Sequence, residues 1–420
     1  GARTNLDAAL RESGRTEAPG RRSLLWHRAL VIGQLALCFV LLVCAGLMAR
    51  TFYLLQQNPI GFQPRGVMTM TFDLPGAVTK YGRDVNERTA FHERLLSHLR
   101  AQPGVVSVGT ASRLPFAEAL DPTDAPGRVR FAITDRPVPP DERPFARVEV
   151  ISSGYLQTLG IPLLEGRDFD ARDTLQSAPV VLVNHELVRR YIPGDGVVGR
   201  TLLDLRKLPP TIVGVVGNVK PTPVALSPEP TIYVAMSQSP IFRTRLAIRA
   251  QGDQAGVVSM VRRTVASVDP ELPVFDIKPL EGIAADAVAT QRFALMLFAL
   301  FAALALGLSV IGIYSVLAYA VAHRVPEFGV RLALGARPGQ LLQMVLAQGA
   351  RMALLGLALG AGVSMLATRG IRGLLFGVQP FDPITLGGVA ILFCAIAMAA
   401  CLLPARRAAG IEPLAALRNE

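Results

Sequence analysis

Two histidines, His92 and His98, share a stretch with helical periodicity, six positions apart. A helix aligns metal ligands three or four residues apart, so these two do not face one ion. His27 and His185 are isolated and His323 closes an apolar run, so all five histidines read as solvated or capping side chains. A phosphate loop needs Lys directly after Gly and before Ser or Thr, so that backbone and ammonium together cradle the phosphates. None of Lys80, Lys207, Lys220 and Lys278 follows a glycine. Ser309, Ser315 and Ser364 lie in apolar runs that hold no His or Asp to activate a nucleophile. Acidic residues are scattered, with no pair whose spacing suggests acid–base work. The expectation is a chain with no catalytic residue, no metal site and no cofactor, and therefore not itself an enzyme.

The most specific local pattern is HRVPEFGVRLALGARPGQ, His323 to Gln340. Pro326 suits the first turn of a helix. Val325, Phe328 and Leu332 fall on one face, with Arg324, Glu327 and Arg331 off it. Gly335 is placed to end the helix, and Pro338-Gly339 turns the chain. The product is a short amphipathic helix at a membrane surface, and the same physics suits one that only binds lipid.

What positions this loop is set by where charges are missing. Ala29–Ala49, Phe293–Ala322, Met352–Thr368 and Ile384–Leu403 carry none. Each is about long enough to cross a hydrocarbon core of roughly 30 Å as a helix. The second, as a helix of about 30 residues, would reach roughly 45 Å, so it either tilts or continues past the membrane. The fold class expected is a membrane protein with one helix, a large mixed α/β domain, then three helices. The division is 1–28 tail, 29–50 first span, 51–290 soluble domain, 291–322 second span, 323–344 loop, 345–368 third span, 369–383 loop, 384–403 fourth span and 404–420 tail.

Net charge is +11, but residues 51–290 hold 26 basic and 25 acidic side chains. A neutral soluble domain argues against a nucleic-acid partner; the surplus flanks the spans. Arginines crowd the N-terminal tail, the loop with Arg324, Arg331 and Arg337, and the C-terminal tail with Arg406, Arg407 and Arg418. Those three segments are therefore cytoplasmic and residues 51–290 lie outside. Cys38, Cys44, Cys394 and Cys401 all fall in spans, so the outer domain holds no disulfide. The first apolar run is too long for a signal peptide and reads as a retained anchor; the opening Gly1 suggests a fragment or processed chain.

Within the domain, strands are expected at Val67–Leu74, Val105–Thr110, Arg147–Ile151, Val180–Val183, Thr211–Val216 and Leu246–Arg249. Helices are expected at Glu87–Ala101, Ser153–Thr158, Glu186–Tyr191 and Ala255–Val268, with another near Asn5–Glu12. Residues 117–146 read as a long surface loop or subdomain crossing. In the third span Gly349, Gly356 and Gly360 place small residues on one face, for packing within the chain or against a second copy.

EFGVRLALGA (Glu327–Ala336) resembles the loop of FtsX-like permeases, the membrane subunits of MacB-type ABC transporters. PGVVSVGTASRLP (Pro103–Pro115), SSGYLQTLGIPLLEGRDF (Ser152–Phe169), VNHELVRRYIPGDGVVGR (Val183–Arg200) and IVGVVGNV (Ile212–Val219) are similar to the MacB-like periplasmic core domain. LPARRAAGIEPLAALR (Leu403–Arg418) resembles the FtsX-like ending, and NLDAALRESGR (Asn5–Arg15) the linker before the second half of acidobacterial duplicated orphan permeases. The resemblance implies a bacterial inner-membrane permease that docks a separate cytoplasmic ABC ATPase and drives export by mechanotransmission. The docking residues it implies are Glu327, Phe328, Gly329, Arg331, Leu332, Gly335 and Ala336, with Phe328 as apolar anchor and Glu327 and Arg331 at the rim. Its further partners are a second permease half or homodimer copy, a periplasmic adaptor and the lipid bilayer. The alternative is a membrane-anchored sensor or scaffold derived from a permease. Single cysteines introduced at Gly194 and Gly339 are expected to label from opposite sides of the membrane with an impermeant reagent; labelling from one side contradicts the topology.

Overall fold

The computed structural model describes residues 19–76, 79–116, 127–134, 139–194, 196–203, 208–222, 227–334, 336–379 and 381–409. The expected helix near Asn5–Glu12 lies outside them, as do the stretches Asn5–Arg15 and most of the C-terminal tail. The chain divides into two units, residues 57–290 and residues 1–56 with 291–420.

The 57–290 unit is built on one sheet whose strand order shows an insertion. β1 (Val67–Asp73), the Val85–Arg100 helix and β2 (Val105–Ala111) form one β-α-β segment. β11 (Arg243–Ala250), the Gln254–Val268 helix and β12 (Phe275–Pro279) form another. They interleave in the order β12-β1-β11-β2, every neighbour antiparallel, which is the split β-α-β pattern. Asp84 and Asp253 begin the two helices by accepting the Asn86 and Gly256 N–H groups. Alternation then sorts the strands. Met68, Met70, Phe72, Leu246 and Ile248 meet Phe91, Leu95, Leu99, Val261 and Val265 of the helices, while Val67 and Ala247 face the other way.

Between β2 and β11 the chain builds a second lobe. Its strands are β5 (Phe145–Ile151), β6 (Leu163–Gly166), β7 (Val180–Asn184), β9 (Thr211–Val216) and β10 (Thr231–Ala235), in the order β5-β10-β7-β9-β6. β5 and β10 pair in parallel, as do β7 and β9. β7 is buried throughout, which is why VVLVN is a continuous apolar run rather than an alternating one. The two lobes meet where Ala111 pairs with Ile151. Around that pair the Ser112 N–H donates to Val150 O and the Ser152 N–H to Thr110 O, both at 2.8 Å. Side chains brace the joint: Ser112 Oγ donates to Glu149 Oε2 (2.9 Å), and the Thr110 N–H donates to Ser152 Oγ (2.8 Å). Gly109 is required here, because a Cβ would stand 2.4 Å from the Tyr155 Cα of the Tyr155–Leu159 helix.

Residues 117–146, expected as a long surface loop or subdomain crossing, contain β3 (Gly127–Arg130), which pairs with β5, and β4 (Ala132–Ile133), which pairs with β8 (Leu202–Leu203). Charged, exposed β3 carries no apolar alternation because it lies at the margin of the sheet. Residues 117–126 and 135–138 lie outside the description.

The other unit holds four helices long and apolar enough to span a membrane: Trp26–Gln57, Ala289–Ala322, Pro338–Gly370 and Pro383–Arg407. They overrun the charge-free runs at several ends, since Arg and Gln are good helix formers and a charge does not stop a helix. At 1.5 Å per residue the 34-residue second helix is about 51 Å long. Val31, Leu35, Phe39, Val43 and Leu47 of the first helix recur at helical spacing and are buried. They pack with Ile313 and Leu317 of the second, Val345 and Met352 of the third and Phe393 and Ala397 of the fourth. Phe39 and Phe393 meet edge to face, with centroids 5.7 Å apart.

Glycine sets the helix crossings. A Cβ on Gly356 would lie 2.6 Å from Leu35 Cβ, and one on Gly360 2.9 Å from Phe39 Cβ, so the first and third helices approach at backbone distance there. A Cβ on Gly349 would lie 2.2 Å from Cys401 Sγ of the fourth helix. All three glycines serve contacts within the chain. At the other end of this bundle Arg50 forms an ion pair with Asp382, whose carboxylate also accepts the Thr385 N–H (2.9 Å) and begins the fourth helix. Burial alone would raise the Asp382 carboxyl, but the Thr385 hydrogen bonds and the Arg50 charge hold it below the ordinary value. Gly356→Leu and Gly360→Leu are each expected to destabilise the detergent-solubilised protein by about 1–3 kcal/mol through overpacking. Gly362→Leu, where a Cβ meets nothing within 4 Å, is expected to leave the melting temperature unchanged.

Candidate functional site

The second helix ends at Ala322 and a new helix, Val325–Ala333, begins three residues later. The link is short because its bonds are local: the Arg324 N–H donates to Val321 O (3.0 Å) and the Phe328 N–H to Arg324 O (2.9 Å). At the far end the Ala336 N–H donates to Arg331 O (2.9 Å). The third helix then starts at Pro338, and Gln340 Oε1 accepts the Arg337 N–H (3.2 Å) as in a capping box. Gly335 lies outside the described residues, and so do the side chains of Gly329 and Leu332, whose backbone is helical.

Phe328 does not point outward. It is 2% exposed and belongs to the core of the four spans. Leu317 and Val321 of the second helix and Met344 and Val345 of the third line the space around it. The expectation that Phe328 is a free anchor for a partner is therefore corrected. Its ring is spent on seating the loop helix against the second and third spans, because leaving a Phe in water beside an apolar bundle costs more than burying it.

The outward side is carried by residues the sequence reading passed over. Val330 is 47% exposed and Leu334 83% exposed, one helical turn apart. Glu327 lies beside them and accepts from Arg331 Nη2 (2.7 Å), with Arg324 at 3.9 Å. Exposed pairs of this kind contribute little to stability. Their value is to keep a charged border around two apolar side chains. The signal was present in VPEFGVRLAL: apolar residues occupy both faces of the helix, and a surface helix needs only one of them for its own bundle.

The histidines behave otherwise than expected in one case. His92 is buried against Phe72 and Phe91, with Nε2 3.2 Å from Ile241 O, and burial lowers its pKa to about 4. It is a neutral packing residue, since an imidazolium there would be stripped of water. Among the described residues no three His, Cys, Asp or Glu side chains gather as a metal site. A cleft of about 410 Å³ opens in the α/β unit, lined by Glu93, Arg100, Ser153, Asp170 and Met236 among others, with Arg100 Nη2 donating to Ser153 O (2.8 Å).

Comparison with known proteins agrees with this layout. The family model for the MacB-like periplasmic core domain matches residues 29–269, and that for the FtsX-like permease C-terminal region matches residues 299–413. The macrolide export ATP-binding/permease protein MacB of Rhodopseudomonas palustris is 28% identical over 295 residues, 66% of this chain and 43% of that protein. The probable syringafactin export ATP-binding/permease protein SyfD of Pseudomonas syringae pv. tomato is 25% identical over 287 residues, 66% of this chain and 42% of that protein. The matched region thus spans less than half the length of these relatives. The crystal structure of the periplasmic region of MacB from Actinobacillus actinomycetemcomitans aligns at TM-score 0.35 and 16% identity, over 55% of this chain and 95% of that one.

The seat of the loop helix gives a stability contrast. Phe328→Ala is expected to destabilise the protein in detergent by about 3–5 kcal/mol, as for a large aromatic removed from a core. Leu334→Asp is expected to stay within about 0.5 kcal/mol, being a surface change. Thermal denaturation of the purified variants checks both.

Proposed function

Because this chain belongs to the family of MacB- and FtsX-like ABC transporter permeases, we propose that it is a permease subunit worked by a separate cytoplasmic ATPase. The loop helix is the docking element. The observation that carries this is the pairing of Phe328, buried in the spans, with Val330 and Leu334 exposed on the opposite side of the same helix. One side belongs to the bundle and the other is left for a partner. Val330 and Leu334 supply the apolar contact, and Glu327 and Arg331 border it. The family resemblance adds Gly329, Leu332, Gly335 and Ala336 to the docking set.

Mechanotransmission follows from rigidity. A push on the loop helix passes through Phe328 into Leu317 and Val345, and so to the second and third helices. The second helix is about 51 Å of unbroken α-helix and conveys displacement along its axis toward Ala289. The charge-free runs hold no Asp, Glu or His to line an ion or substrate path. Export by moving an outer domain suits such spans better than conduction through them. The setting proposed is the bacterial inner membrane, with residues 51–290 in the periplasm. A second permease half or second copy and a periplasmic adaptor complete the assembly. Only about a tenth of the second helix's apolar stretch is buried within the chain, which leaves surface for such a half or for lipid.

Val330→Asp and Leu334→Asp are each expected to weaken association with the ATPase by about tenfold or more, and Arg331→Ala by less. Membrane level and melting temperature should stay unchanged. Co-purification and a binding titration with the host's ATPase measure this. If no ATPase co-purifies and neither aspartate variant alters export, the loop helix is a lipid-surface element and the sensor or scaffold reading replaces this one.

A further inference from the structure

In the second lobe the parallel register of β5 and β10 sets Arg147 against Thr231 and Glu149 against Tyr233. Alternate positions share a face, so these side chains stand together on one side of the sheet. The chain after β2 adds Arg113, the helix after β5 adds Tyr155 and the chain after β9 adds Lys220. Together they line a cavity of about 40 Å³. That is room for a few water-sized groups, and so for a carboxylate or phosphate group.

The chemistry of the lining is lopsided. The lining carries three cations, Arg113, Arg147 and Lys220, and one carboxylate, Glu149, which is engaged; Arg113 Nη2 also donates to Val148 O (3.1 Å). Glu149 accepts from Ser112 Oγ (2.9 Å), Arg113 Nε (3.3 Å) and Arg147 Nη2 (3.3 Å). Arg147 also meets Glu229 at 3.8 Å. Lys220 Nζ donates to the neutral Asn58 Oδ1, and burial pushes its ammonium below the ordinary lysine value. Tyr155 and Tyr233 are 3% and 5% exposed, and neither hydroxyl bonds to a described residue. Burial, with Glu149 nearby, holds both phenols protonated far above neutral pH, so each is an O–H donor. The Lys220 ammonium and the two phenol O–H groups are donors beside two further cations, and such a set suits an anion.

We propose that this pocket of the α/β domain binds an oxyanion, the phosphate or carboxylate group of a ligand, through Lys220, Arg113, Arg147 and the hydroxyls of Tyr155 and Tyr233. Lys220 also holds Asn58, the residue directly after the Pro19–Gln57 helix, so the ligand acts where the chain enters the domain.

The test uses the full chain in detergent, titrated calorimetrically with inorganic phosphate and separately with acetate at constant ionic strength. Saturable binding of at least one anion is expected. The Tyr155→Phe/Tyr233→Phe double variant, which keeps both rings, should weaken it by about tenfold, and Lys220→Gln by at least as much, since hydrogen bonds to charged groups are the stronger kind. Melting temperatures without anion should match the parent. Nanodiscs separate the sources. If a lipid headgroup supplies the anion, phosphatidylglycerol discs weaken the phosphate titration and zwitterionic discs do not; if the ligand is free, both discs titrate alike. The proposal is overturned if neither anion binds saturably in detergent, or if binding survives unchanged in both the double variant and Lys220→Gln.

Discussion

Hydrocarbon offers no hydrogen-bond partner to a backbone N–H or C=O, and nothing in the bundle escapes that constraint. It forces each crossing to be an unbroken helix. It also removes the usual reason for helices to associate, since lipid tails are as apolar as leucine. What remains is fit. Leu35 and Phe39 lie against Gly356 and Gly360, and Cys401 lies against Gly349, at distances no larger residue would allow. Phe328 obeys the same rule at the bundle's end, and its burial fixes which side of the loop helix faces outward.

The spans were legible because a folded chain seldom omits charge over about twenty residues unless a bilayer surrounds them. Their ends were less so, since Arg28 and Arg50 sit inside a helix that runs from Pro19 to Gln57. In the α/β domain the amphipathic helices Val85–Arg100 and Gln254–Val268 declared themselves through periodicity. β10 did not enter the sequence reading, although it is an interior strand of the second lobe, between β5 and β7. TIYVA is short, buried on both faces and preceded by prolines, so it shows no alternation. Strand order was out of reach for a plainer reason: the pairing of β2 with β5 rests on Ala111 and Ile151, and nothing in either residue type announces the other.

The loop helix shows the limit of reading one face. Val325, Phe328 and Leu332 were recognised as an apolar stripe, and Phe328 was assigned to a partner as its anchor. The bundle claims Phe328 first, because the second and third helices are joined to it by a few residues while any partner must be recruited from solution. The effective concentration of a tethered neighbour decides such contests. Val330 and Leu334 were then the residues without a claimant inside the chain.

The second lobe enters and leaves the sheet between β2 and β11, whereas both connections to the spans run through the lobe formed by β1, β2, β11 and β12. In sequence it is an insertion, although its Leu182, Val216 and Tyr233 share one core with Val67, Ala247 and Leu280. Loops there can lengthen, shorten or change composition without touching the strands that carry the chain to and from the helices. A lineage could therefore vary the surface of the second lobe while inheriting the same four strands and the same spans.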